Sequence, residues 1–468
     1  MSKNKDLEIK ISNSNGVDFS IQSLGESKFV SPFSKNAEAA AMLASQYFVK
    51  DSQSTLYRVD YNADNDPSTE TAFIMDEGNR LEKAGPREHI YFNPENVRAA
   101  ICTCGGLCPG LNDVIRSLVR SLMLGYKVKT VWGFRNGYKG FLLDSPIGPM
   151  RLDPDVVDEI HLEGGTILGT ARGGGEKTAE IVDTLQRYKI NILFVIGGDG
   201  SQKGAIAIAT EARKRRYELA VVGVPKTIDN DLSFITRTFG FETAVSKAQE
   251  SIYAAHVEAN GVLNGVGLVK VMGRDSGFIA AQTALASQQA NYVLIPEVPF
   301  DLDGPRGFLA SLEERIKRKG HAVVVVAEGA GQDLMSEEYG DINEKDAGGN
   351  AKMYNIGYFL KTKIGEHFKK ADIECTIRYI DPSYTIRASA PNSNDAIYCA
   401  RLASNAVHAA MAGKTMVLMS QWNGVYVHVP MQMATRARNR VNPQGRLWHD
   451  VLESTWQPTS MKNSSNEP

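Results

Sequence analysis

Five short runs of this 468-residue chain are apolar on both faces, and segments of helix length separate them. The runs are VRAAICT (97–103), NILFVI (191–196), LAVVGV (219–224), GVGLVKVM (265–272) and HAVVVVAE (321–328). The helical segments include LNDVIRSLVRSLM (111–123), KGAIAIATEARKRR (203–216), TAVSKAQESIYAAH (243–256) and NDAIYCARLASNAVHAAM (394–411). A strand without a polar face needs cover on both sides, and helical crossovers supply it. The pattern therefore predicts an α/β fold with largely parallel sheets. The length exceeds one ordinary core, so two Rossmann-like αβα domains plus appendages are expected. Residues 1–35 are polar, AEAAAMLASQYF (37–48) reads as helix and 51–70 is polar again, so 1–93 is expected to be an N-terminal extension.

In doubly wound sheets ligands gather beyond the carboxyl ends of the strands. After VRAAICT comes CGGLCPGLN (104–112), and after NILFVI comes GGDGSQKG (197–204). LAVVGV is followed by PKTIDNDL (225–232), and LVKV by MGRDSG (272–277). Glycine lets adjacent N–H groups converge on phosphate oxygens, and a helix starting just afterwards adds its positive end. CGGLCPG reads equally as a tight turn. In GGDGS, an acid among phosphate-binding glycines suits Mg2+, and helix-length sequence after it disfavours a hairpin turn. Arg172, in GGTILGTARGGG (164–175), is either a solvated arginine or a phosphate clamp.

Together these groups suit phosphoryl transfer, which needs alignment and positive charge more than covalent help. Asp199 fits a metal ligand and Asp229 a proton acceptor, with Lys226 and Arg172 offsetting charge on the moving group. Asp229 as an Asx-turn acid and Asp231 as a helix cap are the structural alternatives.

Other classes fare worse. A net charge of −2 gives no electrostatic case for nucleic acid or an anionic membrane. Five cysteines, an odd number without small-domain spacing, point to a reducing compartment. CTCGGLC (102–108) lacks paired zinc spacing and has no histidine near it downstream, His161 being the first. There is no signal-like or membrane-length apolar run, so a soluble cytoplasmic protein is expected. AGKT (412–415) lacks the earlier glycine of a P-loop, position 408 being His. No GxGxxG opens a helix after the first strand, which disfavours a dinucleotide oxidoreductase.

GGDGS, PKTIDNDL, MGRDSGFIA and YIDPSYTIRA, in this order and spacing, resemble the ATP-dependent 6-phosphofructokinases, nearest to the plant and trypanosomatid group. The resemblance runs from about Gly85 to Pro458. It implies transfer from Mg-ATP to the 1-hydroxyl of fructose 6-phosphate, the committing step of glycolysis. Residues 94–240 would form a nucleotide-binding domain, completed by about 386–412. Residues 241–385 would form a fructose 6-phosphate domain and 413–468 a C-terminal segment. Carried over by position, Gly106, Arg172, Gly173, Gly198, Asp199, Gly200 and Ser201 would line ATP, with Asp199 also on Mg2+. Asp229 would be the base, with Lys226 and Arg274 beside the reacting groups. Thr227, Ile228, Met272, Gly273, Arg274 and Glu328 would hold the sugar, and Tyr384 and Arg387 its 6-phosphate. Arg378 matches an arginine that enters a neighbouring subunit's site, so a homo-oligomer, commonly a tetramer in the family, is implied.

Bacterial relatives carry arginine where this chain has Gly265 and histidine where it has Tyr384; both changes are usual in the plant-like group. Arg116 and Arg120 match a bacterial effector pair, but helix arginines four apart are read here as a solvated face. For the donor, Gly200 leaves room for the α-phosphate of ATP, whereas Lys226 is shared with pyrophosphate-dependent enzymes. Steric exclusion decides for ATP, with pyrophosphate the alternative. A non-catalytic regulatory subunit would have lost Asp199, Asp229 or the sugar-binding arginines. An NAD or lipid kinase would share GGDG without PKTIDND and YTIR.

Overall fold

The computed structural model describes residues 18–35, 47–59, 77–342, 344 and 352–463. The helix expected over 37–48 lies outside the described residues, except for its last two positions. Within the extension are short strands β1 (Gln22–Ser23), β2 (Phe29–Val30), β3 (Ser54–Leu56), β4 (Arg80–Glu82) and β5 (His89–Ile90). Then come β6 (Arg98–Thr103), β7 (Thr130–Phe134), β8 (Met150–Leu152), β9 (Ile192–Gly197) and β10 (Ala220–Pro225). They are followed by β11 (Gly265–Val271), β12 (Tyr292–Leu294), β13 (His321–Ala327) and β14 (Thr376–Ile380). The last strands are β15 (Lys414–Thr415), β16 (Val417–Trp422) and β17 (Val425–Pro430).

A seven-stranded sheet has the order β17-β16-β10-β9-β6-β7-β8, parallel except at its two outer pairs. A four-stranded, all-parallel sheet has the order β12-β13-β11-β14. Each apolar run of the sequence is a strand of one or the other. Alternate residues serve opposite cores: Ala99 and Ile101 face one cluster, Ala100 and Cys102 another. In the second sheet Val266 and Leu268 point one way, Val269 and Val271 the other. This two-sided burial is why these runs contain so few polar positions.

Four helices cover these faces at the sequence-predicted places: Leu111–Arg120, Asp199–Lys214, Phe241–Asn260 and Ser393–Met411. The first continues as a π-helical turn over Ser121–Gly125. The second begins four residues earlier than its apolar pattern suggested, so Asp199, Gly200 and Ser201 form its first turn instead of a loop. Gly197 permits this, because a Cβ there would stand 2.4 Å from that of Ser201. The helix Ser393–Met411 packs against β10 and the helix Leu111–Arg120, and β16 and β17 then extend the first sheet.

The extension is fastened by buried charge. Arg87 donates from Nε to Asp51 Oδ1 (2.7 Å) and from Nη2 to Glu82 Oε1 (3.0 Å). Lys414 Nζ lies 3.1 Å and His428 Nδ1 2.9 Å from the same Glu82 oxygen. Burial alone would raise the Glu82 pKa, but the bond to His428 and the cations around it hold the carboxyl at about 2. Among the described residues, no helix is long and apolar enough to cross a membrane.

Candidate active site

Strand register decides where the glycine-rich loops meet. Thr103 pairs with Ile196 and Pro225 with Gly197, so β6, β9 and β10 end level and release their loops at one edge. In the other sheet Val271 pairs with Ala327, which brings Met272 and Glu328 together. These strand ends enclose a cleft of about 1030 Å³, lined from both sheets.

One wall is mostly backbone. Gly105 N donates to Ala171 O (3.0 Å), and Thr170 Oγ1 donates to Gly105 O (2.8 Å), which ties the first glycine loop to the one bearing Arg172. Gly105 has φ +91°, and a Cβ there would stand 2.9 Å from Lys226 Nζ. That ammonium instead donates to Gly106 O at 2.9 Å. At Gly106 and Gly200 a Cβ would meet nothing within 4 Å, so both glycines open onto the cleft without being required by packing. Asp199 Oδ2 accepts from Lys203 Nζ at 2.9 Å, one helical turn on.

The facing wall concentrates half-buried carboxylates. Asp229 Oδ1 is buried and has no hydrogen-bond partner. Burial, then the charges of Asp231 and Glu328, push the Asp229 pKa up to about 8 against the pull of Arg438 and Lys226. Asp231 Oδ1 accepts from Thr227 Oγ1 at 2.8 Å, so the two acids of PKTIDNDL are not equivalent. Burial also raises Glu328, opposed by Lys270, Arg274 and Arg387. Lys226 is itself buried, which lowers its pKa despite the acidic neighbours. At the mouth, the Arg387 guanidinium lies 4.5 Å over the Tyr384 ring, which is 77% exposed.

Every site residue singled out from the sequence lines this cleft except Gly273 and Arg378. Gly273 shapes the turn between Met272 and Arg274: its φ is +127°, and a Cβ would come within 2.4 Å of Ser276 O. Arg378, on β14, lies outside the cleft with Nε 3.3 Å from Glu258. Lys203, Lys270, Asn355, Asp381 and Arg438 also line the cleft and were not singled out. Lys270 sits within a strand and Arg438 within the basic run MATRARNR, and neither position announces a pocket. Lys270 Nζ and Asp381 Oδ2 are 2.8 Å apart. Of the cysteines, Cys102 and Cys104 lie with sulfurs 4.0 Å apart, and Cys108 Sγ donates to Phe239 O.

Among the described residues no three His, Cys, Asp or Glu side chains gather as a metal cage. Asp199 offers one carboxylate at the start of a helix beside open cleft. That fits Mg2+, which is commonly held by one or two carboxylates together with substrate phosphates.

Residues 98–410 match the Phosphofructokinase (PFK) family. An ATP-dependent 6-phosphofructokinase of Borreliella burgdorferi is 52% identical, covering 97% of this chain and 100% of its own. ATP-dependent 6-phosphofructokinase 1 of Arabidopsis thaliana is 45% identical over 91% of this chain and 87% of its own. The Trypanosoma cruzi ATP-dependent 6-phosphofructokinase is 48% identical over 80% and 76%. Among solved structures, the pyrophosphate-dependent phosphofructokinase of Marinobacter aquaeolei superposes with a TM-score of 0.61, covering 79% of this chain and 94% of its own. At 20% identity that likeness concerns the fold.

Proposed function

The chain belongs to the phosphofructokinase family, and on that premise we propose that it is an ATP-dependent 6-phosphofructokinase. It transfers the terminal phosphoryl group of ATP to the 1-hydroxyl of fructose 6-phosphate, giving fructose 1,6-bisphosphate and ADP. The observation that carries the reading is the unpartnered, buried Asp229 oxygen facing a wall of bare backbone in one cleft.

The glycine wall of Gly106, Gly173, Gly198 and Gly200 admits a polyphosphate to close backbone contact, and the helix opening at Asp199 adds its positive end. Arg172 clamps the donor. Mg2+, when bound at Asp199, supplies neutralisation of phosphate charge. Met272, Arg274 and Glu328 orient the sugar, while Tyr384 and Arg387 hold its 6-phosphate. Asp229 accepts the proton of the 1-hydroxyl as the new O–P bond forms and the bond to ADP breaks. Its burial suits this task, since a carboxylate with a pKa near working pH is a stronger base than an exposed one. Lys226, anchored on the Gly106 carbonyl, brings positive charge between donor and acceptor.

In this reading the first sheet carries the nucleotide and the second the sugar. Arg378 completes a neighbouring copy's sugar site, which makes the working unit a homo-oligomer, a tetramer by family precedent, in the cytoplasm. ATP is favoured over pyrophosphate because Gly200 leaves the α-phosphate position open. The deciding assay supplies fructose 6-phosphate and Mg2+ with either ATP or pyrophosphate. Turnover with ATP is expected. Turnover with pyrophosphate alone would overturn the donor, and none with either would indicate a non-catalytic subunit.

A further inference from the structure

Asp229 and Asp231 face the cleft from the loop after β10, and two like charges so close need a counter-charge. One comes from far along the chain. Arg438 Nε stands 3.9 Å from Asp231 Oδ2, and Arg438 Nη1 donates to Asp275 Oδ2, in the loop after β11. The guanidinium thus spans the catalytic loop of the first sheet and the sugar-side loop of the second. Its backbone is stitched to both. Leu232 and Arg438 form an antiparallel bridge, Asn439 N donates to Asp231 O (2.8 Å) and Ser233 Oγ donates to Ala437 O (2.7 Å). On the other side, Glu297 Oε1 accepts from both Gly277 N (2.9 Å) and Val441 N (2.8 Å).

We propose that Arg438 is a positioning residue for the proton-accepting carboxylate, acting on Asp229 both directly and through Asp231, with Asp275 competing for its charge. The proposal rests on the phosphotransfer reading above. With one Asp231 oxygen bonded to Thr227 and the other turned to Arg438, Asp229 is left as the acid with an uncommitted oxygen. Asp231, Glu328, Lys226 and Arg438 act on Asp229 directly, while Arg172 acts on Lys226, and Lys270, Arg274, Arg387 and Asp381 act on Glu328. Of the two cations acting directly, Lys226 is anchored on Gly106, whereas Arg438 is shared with Asp275, which draws part of its charge away from the Asp229–Asp231 pair.

The test is the pH profile of kcat/KM for fructose 6-phosphate, whose acidic limb reports the base of the free enzyme. Removing the cation in Arg438→Gln moves this limb to higher pH, by about one unit, which is about tenfold in activity on the acid side. Arg438→Lys restores most of the shift. Asp275→Asn deletes a negative charge and releases the guanidinium, and so moves the limb the opposite way. Carboxyl titration of Asp229, read as an infrared difference against Asp229→Asn, follows the same shifts without needing turnover. An active wild type with limbs unmoved in both folded variants would overturn the proposal. If Arg438→Gln fails to fold, an unmoved or upward limb in Asp275→Asn does so alone. An inactive wild type would overturn the phosphotransfer reading instead, while the infrared titration still judges the bridge.

Discussion

On the donor side of the cleft, Gly106 and Gly200 present no side chain, and Lys203, paired with Asp199, is 58% exposed. On the acceptor side, Asp229 and Glu328 are raised by burial and Lys226 is lowered by it. The contrast matches what the proposed function asks of each wall. A polyphosphate brings its own charge, and aligned N–H groups with space around them meet it cheaply. Taking a proton from a sugar hydroxyl requires a basic carboxylate, and a carboxylate becomes basic by losing water and gaining like charge. Substitutions should therefore act on proton transfer on one wall and on donor binding on the other.

The largest effect is expected from Asp229→Asn, with kcat reduced by about 10²–10⁴-fold and the KM for ATP little changed. Survival of most of the activity in a folded variant would remove Asp229 from its role. Next, Gly200→Asp puts its Cβ into open space and sets a carboxylate against the donor's phosphates. It should lower kcat/KM for ATP by about 10²-fold, as a repulsion of several kcal/mol implies, and pyrophosphate use should suffer less. Equal losses for both donors would mean that Gly200 does not face the α-phosphate position.

A stability measurement sharpens the acceptor side. The Asp229 pKa rises from 3.8 to about 8, so whatever the protonated carboxyl contributes is fully present below pH 4 and fades as pH rises through 8. Denaturant unfolding should accordingly find Asp229→Asn more stable than wild type at pH 8.5, by about 1–3 kcal/mol, with no difference near pH 4. The smallest effect is expected on the donor side. Lys203→Met breaks only an exposed ion pair with Asp199, and kcat/KM for ATP should change by no more than about fivefold. A larger loss would show that Lys203 itself touches the donor.

Much of this site could be read from the sequence because each loop directly follows a strand that is apolar on both faces. Gly198, Asp199 and Gly200 after β9, and Lys226 to Asp229 after β10, are located by the strand before them. The boundary of GGDGS was less legible. Nothing in its composition shows that the helix begins at Asp199, which depends on the close approach of Gly197 and Ser201. Strand β16 was also missed as the partner of β10, and β17 as the strand beyond it, since nothing local ties residues 417–430 to residues 220–225. Arg438 and Asp381 went unnoticed for a related reason. Charged residues in polar surroundings look solvated until the element that faces them is known.

The sequence by itself determined the α/β layering, the sites where backbone is laid bare and the chemical types gathered after each strand. Those are consequences of local pattern, because a run apolar on both faces must be buried and a glycine run must turn or bind. Which of the two acids keeps an unpartnered, buried oxygen was decided only by the tertiary structure. Asp229 and Asp231 sit two residues apart in one loop, and the difference between them comes from Thr227, Glu328 and Arg438. Two of those three lie roughly 100 and 200 residues away along the chain. Burial and opposing charge act through space, so the loop alone could not show this difference between the two acids.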